Sequence, residues 1–195
     1  AQEDIGLSGE WGLAVADFDG DDHLDIYLPR FGAGSLLLGD GTGDFFPAED
    51  NRIPAVELGY DHRESYTMGV VAVDVNADGY IDIVESSVGT PTILINDGNG
   101  FFTDETIALG LDIASGMDFN TAWADYDLDG DLDLYIPMYP SEDPTPEQIE
   151  AGGYVDGVAG VLMENLGADG FVDRSDLLPS ETNDGHPFAA GWHDL

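Results

Sequence analysis

DVNADGYIDIVE, residues Asp74 to Glu85, decides how this chain folds. Counting Asp74 as position 1, oxygen-bearing side chains fall at positions 1, 3, 5 and 9, which are Asp74, Asn76, Asp78 and Asp82. Gly79 at position 6 permits a sharp turn, and Glu85 ends the stretch at position 12. Such alternation in a tight loop points several oxygens at one centre, an arrangement suited to a hard cation. The same twelve residues could be flanked by helices or by strands, and the two choices define different proteins. The preceding MGVVAV, Met68 to Val73, is a short run of small and β-branched residues without helical periodicity.

The stretch has two sister copies. VADFDGDDHLDIYL from Val15, AVDVNADGYIDIVE from Ala72 and WADYDLDGDLDLYI from Trp123 align without gaps. Their first acidic residues, Asp17, Asp74 and Asp125, are 57 and then 51 residues apart. A fourth copy begins at AAGWHDL, where Asp194 is the first ligand of an incomplete loop 69 residues after Asp125. Positions 1, 3, 5 and 9 hold Asp17, Asp19, Asp21 and Asp25 in the first loop, and Asp125, Asp127, Asp129 and Asp133 in the third. At position 7, His23, Tyr80 and Asp131 would each offer a main-chain carbonyl. Position 6 is Gly79 or Gly130 in two copies but Asp22 in the first, which makes that site the most demanding.

Comparison of the copies rejects the helical choice. A helix–loop–helix calcium site needs a bidentate Glu at position 12. The sisters carry Leu28 and Ile136 there, so Glu85 occupies a strand slot. Leu24, Ile26 and Leu28, then Ile81 and Ile83, then Leu132, Leu134 and Ile136 alternate with period 2 after each loop. SLLLGDGTGDFF, TILINDGNGFFTD and GVLMENLGADGFVD read as hairpins closed by turns that need positive φ.

Each unit is therefore about four short strands, and a radial array of such units makes a β-propeller. The expected fold is all-β, with four-stranded antiparallel blades in units of roughly 9–50, 66–106, 117–175 and a fourth starting at 188–195. A β-sandwich with Asp-rich turns is the competing architecture. Three blades and a start fall short of a closed ring of about 4–8 blades. The chain is thus expected to be a single partial domain, 1–195, of a larger propeller, with a partner chain or an open arc as the alternatives. TPEQIEAG within 138–157 is read as one or two helical turns in a long loop.

Charge narrows the function. The 195 residues carry 41 acids against four Arg (Arg30, Arg52, Arg63 and Arg174) and no Lys, a formal charge of −37. Such a surface repels phosphate backbones and anionic lipid, which argues against nucleic acid or membrane partners. No apolar run is long enough for a membrane span. With no Cys there is no disulfide, thiolate metal site or Cys nucleophile. Zinc lacks its usual ligands, and magnesium holds its waters and prefers stricter geometry, so Ca2+ at about three sites is the expected cofactor. A high Asp content without Lys also suits a saline habitat, where salt screens self-repulsion.

The loops resemble those of FG-GAP/VCBS-type β-propeller repeats, as in integrin α-subunit heads and many bacterial exported proteins. NDGNGFFTDETIALGL followed by AWADYDLDGDLDLYI is similar to the cartilage-acidic/ASPIC–UnbV-like branch. The resemblance implies a calcium-stabilised propeller, usually of seven blades, secreted or on the cell surface. It also implies adhesion or recognition of an extracellular protein or glycan, with structural calcium. The alternative is a polysaccharide lyase or hydrolase. Its candidate residues are Tyr60, His62, Arg63 and Tyr66 in GYDHRESY, where Tyr and His could serve as acid and base and Arg63 could bind a uronate. Trp11, Trp123 and Trp192 are expected to pack between blades, and His186 and His193 to make local hydrogen bonds.

Overall fold

The computed structural model describes residues 12–29, 34–49, 51–54, 67–87, 90–111, 113, 117–118, 120–139 and 159–179. Three four-stranded antiparallel sheets follow one another along the chain. The first contains β1 (Ala14–Ala16), β2 (Asp25–Leu28), β3 (Ser35–Gly39) and β4 (Phe45–Pro47), in that spatial order. The second contains β5 (Gly69–Val73), β6 (Asp82–Ser86), β7 (Thr92–Asn96) and β8 (Phe102–Asp104). A two-stranded pair, β9 (Met117–Asp118) with β12 (Met138–Tyr139), flanks the third sheet. That sheet is β10 (Ala122–Ala124), β11 (Asp133–Ile136), β13 (Val161–Asn165) and β14 (Phe171–Asp173). Each sheet is a meander resembling a propeller blade, and each acidic loop joins its first two strands.

The register is the same in all three. Val15 faces Ile26, Ala72 faces Ile83 and Trp123 faces Leu134 across the first pair of strands. Because side chains alternate, the second sheet offers one row of side chains to the first sheet and the opposite row to the third. Ala14, Tyr27 and Leu36 of the first sheet pack with Ile83, Leu94 and Phe102 of the second. Val84 and Ile93, from the opposite face of the second sheet, pack with Leu134, Ile136, Met163 and Phe171 of the third. Trp123 joins that second core, edge-on to Phe171 with centroids 6.0 Å apart.

The middle sheet is covered on both faces, and its central strand shows it. All five residues of β6, Asp82 to Ser86, are buried, whereas buried and half-buried residues alternate along β2. Glu85 therefore lies inside the protein. Its Oε1 accepts the Tyr27 hydroxyl at 2.9 Å, across the seam between the first and second sheets. At the second seam the equivalent positions are Val84 and Ile136, both fully buried. The Tyr60, His62, Arg63 and Tyr66 cluster, the 140–157 loop with its expected helical turns, Trp11, His186, Trp192, His193 and Asp194 lie outside the described residues.

Candidate cation-binding loops

The three acidic loops share one hydrogen-bond skeleton. The position-1 carboxylate turns the chain by accepting N–H groups from positions 5 and 6. Asp17 accepts from Asp21 at 3.2 Å and Asp22 at 2.8 Å, Asp74 from Asp78 at 3.2 Å and Gly79 at 2.9 Å, and Asp125 from Asp129 at 3.0 Å and Gly130 at 3.1 Å. The position-5 carboxylate then accepts the N–H of position 7. His23 donates to Asp21, Tyr80 to Asp78 and Asp131 to Asp129, at 2.8, 2.9 and 3.0 Å. In the first loop the His23 ring nitrogen Nδ1 also lies 3.1 Å from Asp21 Oδ2.

This skeleton needs positive φ twice, at position 6 and also at position 4. Position 4 has φ of 75° at Gly20, 56° at Ala77 and 65° at Leu128, and position 6 has 68° at Asp22, 91° at Gly79 and 105° at Gly130. Each loop spends its single glycine on one of the two, so Asp22 is offset by Gly20 at the other position. Sequence reading weighed only position 6. Leu128 is the most strained choice, a γ-branched side chain left 86% exposed. Leu128→Gly should raise the Tm by about 2 °C, the left-handed penalty outweighing the added freedom of the unfolded chain. Differential scanning calorimetry checks this.

Position 9 has a structural role that needs no cation. Asp25, Asp82 and Asp133 are completely buried. One oxygen of each accepts the N–H of position 2, at 2.8 Å from Phe18, 2.8 Å from Val75 and 2.9 Å from Tyr126. The other accepts an N–H from the end of the third strand, at 2.9 Å from Gly39, 2.8 Å from Asn96 and 2.9 Å from Asn165. The carboxylate thus clasps loop, second strand and third strand together. Burial pushes Asp82 up to about 6, although the N–H bonds from Asn96 and Val75 pull it down. Burial likewise raises Asp133.

Asn96 and Asn165 extend the clasp to the neighbouring sheet. Asn96 Nδ2 donates to the carbonyls of Ile81 at 2.9 Å and of Phe18, in the previous sheet's loop, at 2.8 Å. Asn165 Nδ2 donates to Leu132 at 3.1 Å and Val75 at 3.0 Å. The first sheet has Gly39 at this position. The recurrence of Asn at the end of the third strand, in TILIN and VLMEN, was the available signal.

Two clusters bring three carboxylates together among the described residues. Oxygens of Asp17, Asp19 and Asp21 lie within 4.8 Å of one another, as do oxygens of Asp125, Asp127 and Asp133. In the second loop an amide, Asn76, stands at position 3; its Oδ1 accepts from the Asp78 N–H at 3.1 Å and its Nδ2 donates to Asp78 Oδ2 at 3.0 Å. Burial raises Asp19, with the Asp25 and Asp21 charges adding to it and Arg52 opposing. Asp127 is raised as well, chiefly by desolvation; the Asp129 N–H bond opposes this and the Asp129 charge adds to it. One oxygen of Asp19, Oδ1, is buried without a hydrogen-bond partner. An all-oxygen donor set with an orphaned carboxylate oxygen fits a hard cation.

The chain matches the family model described as an FG-GAP-like repeat over residues 17–85 and again over 74–136. Each match starts on the first Asp of one loop and ends at position 12 of the next. Together they span residues 17–136, well over half of the 195 residues. The chain therefore belongs to the FG-GAP-like repeat family. No curated protein matches it.

Proposed function

We propose that this chain is a calcium-binding recognition module, built of propeller blades and working outside the cell. Calcium would be held in the strand–loop–strand sites, and adhesion or binding to a protein or glycan would use surfaces that the blades hold in place. The observation that carries this reading is the convergence of Asp17, Asp19 and Asp21, and of Asp125, Asp127 and Asp133, within a shared loop skeleton. Asp74, Asn76, Asp78 and Asp82 form the same skeleton and would make a third site. Bound calcium would supply the positive charge that holds these carboxylates together and so fix the first two strands of each blade. The protein's residues do the rest: position 1 shapes the turn, and position 9 ties it to the sheet. The need for plentiful calcium in a fold carrying −37 suits an export setting.

Thermal melting in calcium, in magnesium and in chelator at matched ionic strength tests the reading. At a calcium concentration about a hundredfold above Kd, each site should add about 2.7 kcal/mol, or roughly 5–10 °C in Tm. Magnesium should add far less. A calcium response no larger than that of monovalent salt would overturn the proposal.

A further inference from the structure

Arg52 sits at the seam between the first and second sheets. Its carbonyl accepts the Phe102 N–H at 2.8 Å, at the start of β8. At the next seam the same bond runs from the Phe171 N–H, at the start of β14, to the carbonyl of Leu109 at 2.7 Å. Arg52 and Leu109 are thus equivalent positions with very different side chains.

The Arg52 side chain reaches back toward the first acidic loop. Nη1 donates to the Asn99 carbonyl at 2.8 Å, in the turn between β7 and β8. The guanidinium lies over the Phe101 ring, 4.9 Å from its centroid. Nη1 is also 3.7 Å from Asp19 Oδ2, and the two side chains are only 18% and 17% exposed. Gly100 leaves room for it, because a Cβ there would come within 2.7 Å of Nη1.

Asp19 is position 3 of the first loop, and the equivalent residue in the second loop is Asn76. Charge and countercharge therefore change together from one seam to the next: Asp19 goes with Arg52, and Asn76 with Leu109. The first loop has four carboxylates at positions 1, 3, 5 and 9, and the second has three. At these four positions the excess is the single carboxylate of Asp19, which one guanidinium offsets; the exposed Asp22 at position 6 adds a further charge that it does not reach. Asp19 keeps a second oxygen, Oδ1, that is buried and without a hydrogen-bond partner.

We propose that Arg52 is an internal counter-cation for the first loop, offsetting the carboxylate that Asp19 adds at position 3 and limiting the loop's affinity for a divalent ion. The inference rests on the cation-binding reading above. Arg52 holds part of the charge that calcium holds elsewhere, so the first loop keeps more of its order when calcium is removed. The same positive charge opposes an incoming dication. At water-like dielectric and a separation of about 6 Å, that opposition is worth about tenfold in affinity.

A double-mutant cycle on the full chain tests this, using the residues of the other seam: Arg52→Leu, Asp19→Asn and the pair together. Tm is read in chelator and in calcium, and calcium binding by titration calorimetry. Arg52→Leu should lower the Tm in chelator, tighten one calcium-binding step about tenfold and enlarge the calcium-induced rise by roughly 3–5 °C. Asp19→Asn added to it should bring both quantities back toward wild type. Arg52→Lys keeps the charge and should leave the calcium response near wild type, which separates charge from folding. A calcium response that Arg52→Leu does not alter overturns the counter-cation role alone. No calcium response in any of the proteins sinks the cation reading itself, whatever coupling remains in chelator.

Discussion

Asp82→Ala is expected to remove about 3–5 kcal/mol of stability, and to do so even when no calcium is present. The reason is the pair of buried N–H groups that this carboxylate satisfies, those of Val75 and Asn96, each at 2.8 Å. Alanine leaves both donors without a partner in a place water does not reach. Each buried orphan costs about 1–3 kcal/mol, and the space vacated by the carboxylate adds to the loss. The damage also spreads across a seam, because Asn96 carries the amide that holds the Phe18 carbonyl of the first sheet. Asp78→Ala is the contrasting variant. Asp78 is exposed and lies within the same loop, so in chelator its loss should cost far less. Urea unfolding of both variants in excess chelator, with salt to screen self-repulsion, separates the two roles. If Asp82→Ala and Asp78→Ala are equally mild in chelator, position 9 is only a ligand and the clasp has no structural weight.

Glu85→Gln should stabilise the protein above neutral pH by about 3 kcal/mol and leave it unchanged in acid. Burial pushes Glu85 up to about 7 from its ordinary 4.5; the Tyr27 hydroxyl bond pulls it back down, and the Asp104 charge adds to the rise. A carboxyl group with a raised folded value holds its proton more tightly when folded. The wild type therefore keeps its full stability below about pH 4.5 and loses it as pH climbs toward 7, reaching a lower plateau beyond. A shift of that size corresponds to about 3 kcal/mol. Glutamine retains an acceptor for the Tyr27 hydroxyl and has no proton to lose. The comparison that matters is the difference between wild type and variant, since the loop carboxylates of both proteins titrate alike. It should grow from near zero at about pH 4.5 to its maximum near pH 8, as measured by urea unfolding in calcium. A difference that stays flat across this range would falsify the assignment of Glu85 as a buried, proton-holding carboxyl. The second seam has Val84 and Ile136 where the first has Tyr27 and Glu85, so of the two seams among the described residues the device belongs to the first.

Much of this architecture was legible in the chain because repetition makes local signals mutually confirming. One acidic loop is ambiguous between helical and strand flanks. Three in phase, with Leu28, Glu85 and Ile136 at one register position, are not, and Glu85 indeed lies in β6. The turn at Gly79 and Gly130 was readable because only glycine adopts such φ freely. Ala77 and Leu128 hid the second left-handed position, since nothing in their chemistry advertises it. Asn96 and Asn165 were not legible as bridges, because their partners, Phe18 and Val75, lie 78 and 90 residues earlier.

The sequence by itself determined the strand–loop–strand repeat, the alternation of buried faces and the residues whose oxygens could meet a cation. These follow from spacing along a chain of fixed geometry, where period and turn chemistry act over a few residues. Only the tertiary structure decided what happens where two sheets meet. It buried Asp25, Asp82 and Asp133 as clasps, set Glu85 against Tyr27 and brought Arg52 to Asp19. Those pairings depend on which face of one sheet covers which face of the next. Once water is excluded at that contact, a carboxylate spaced like a ligand must also answer for every polar group left beside it.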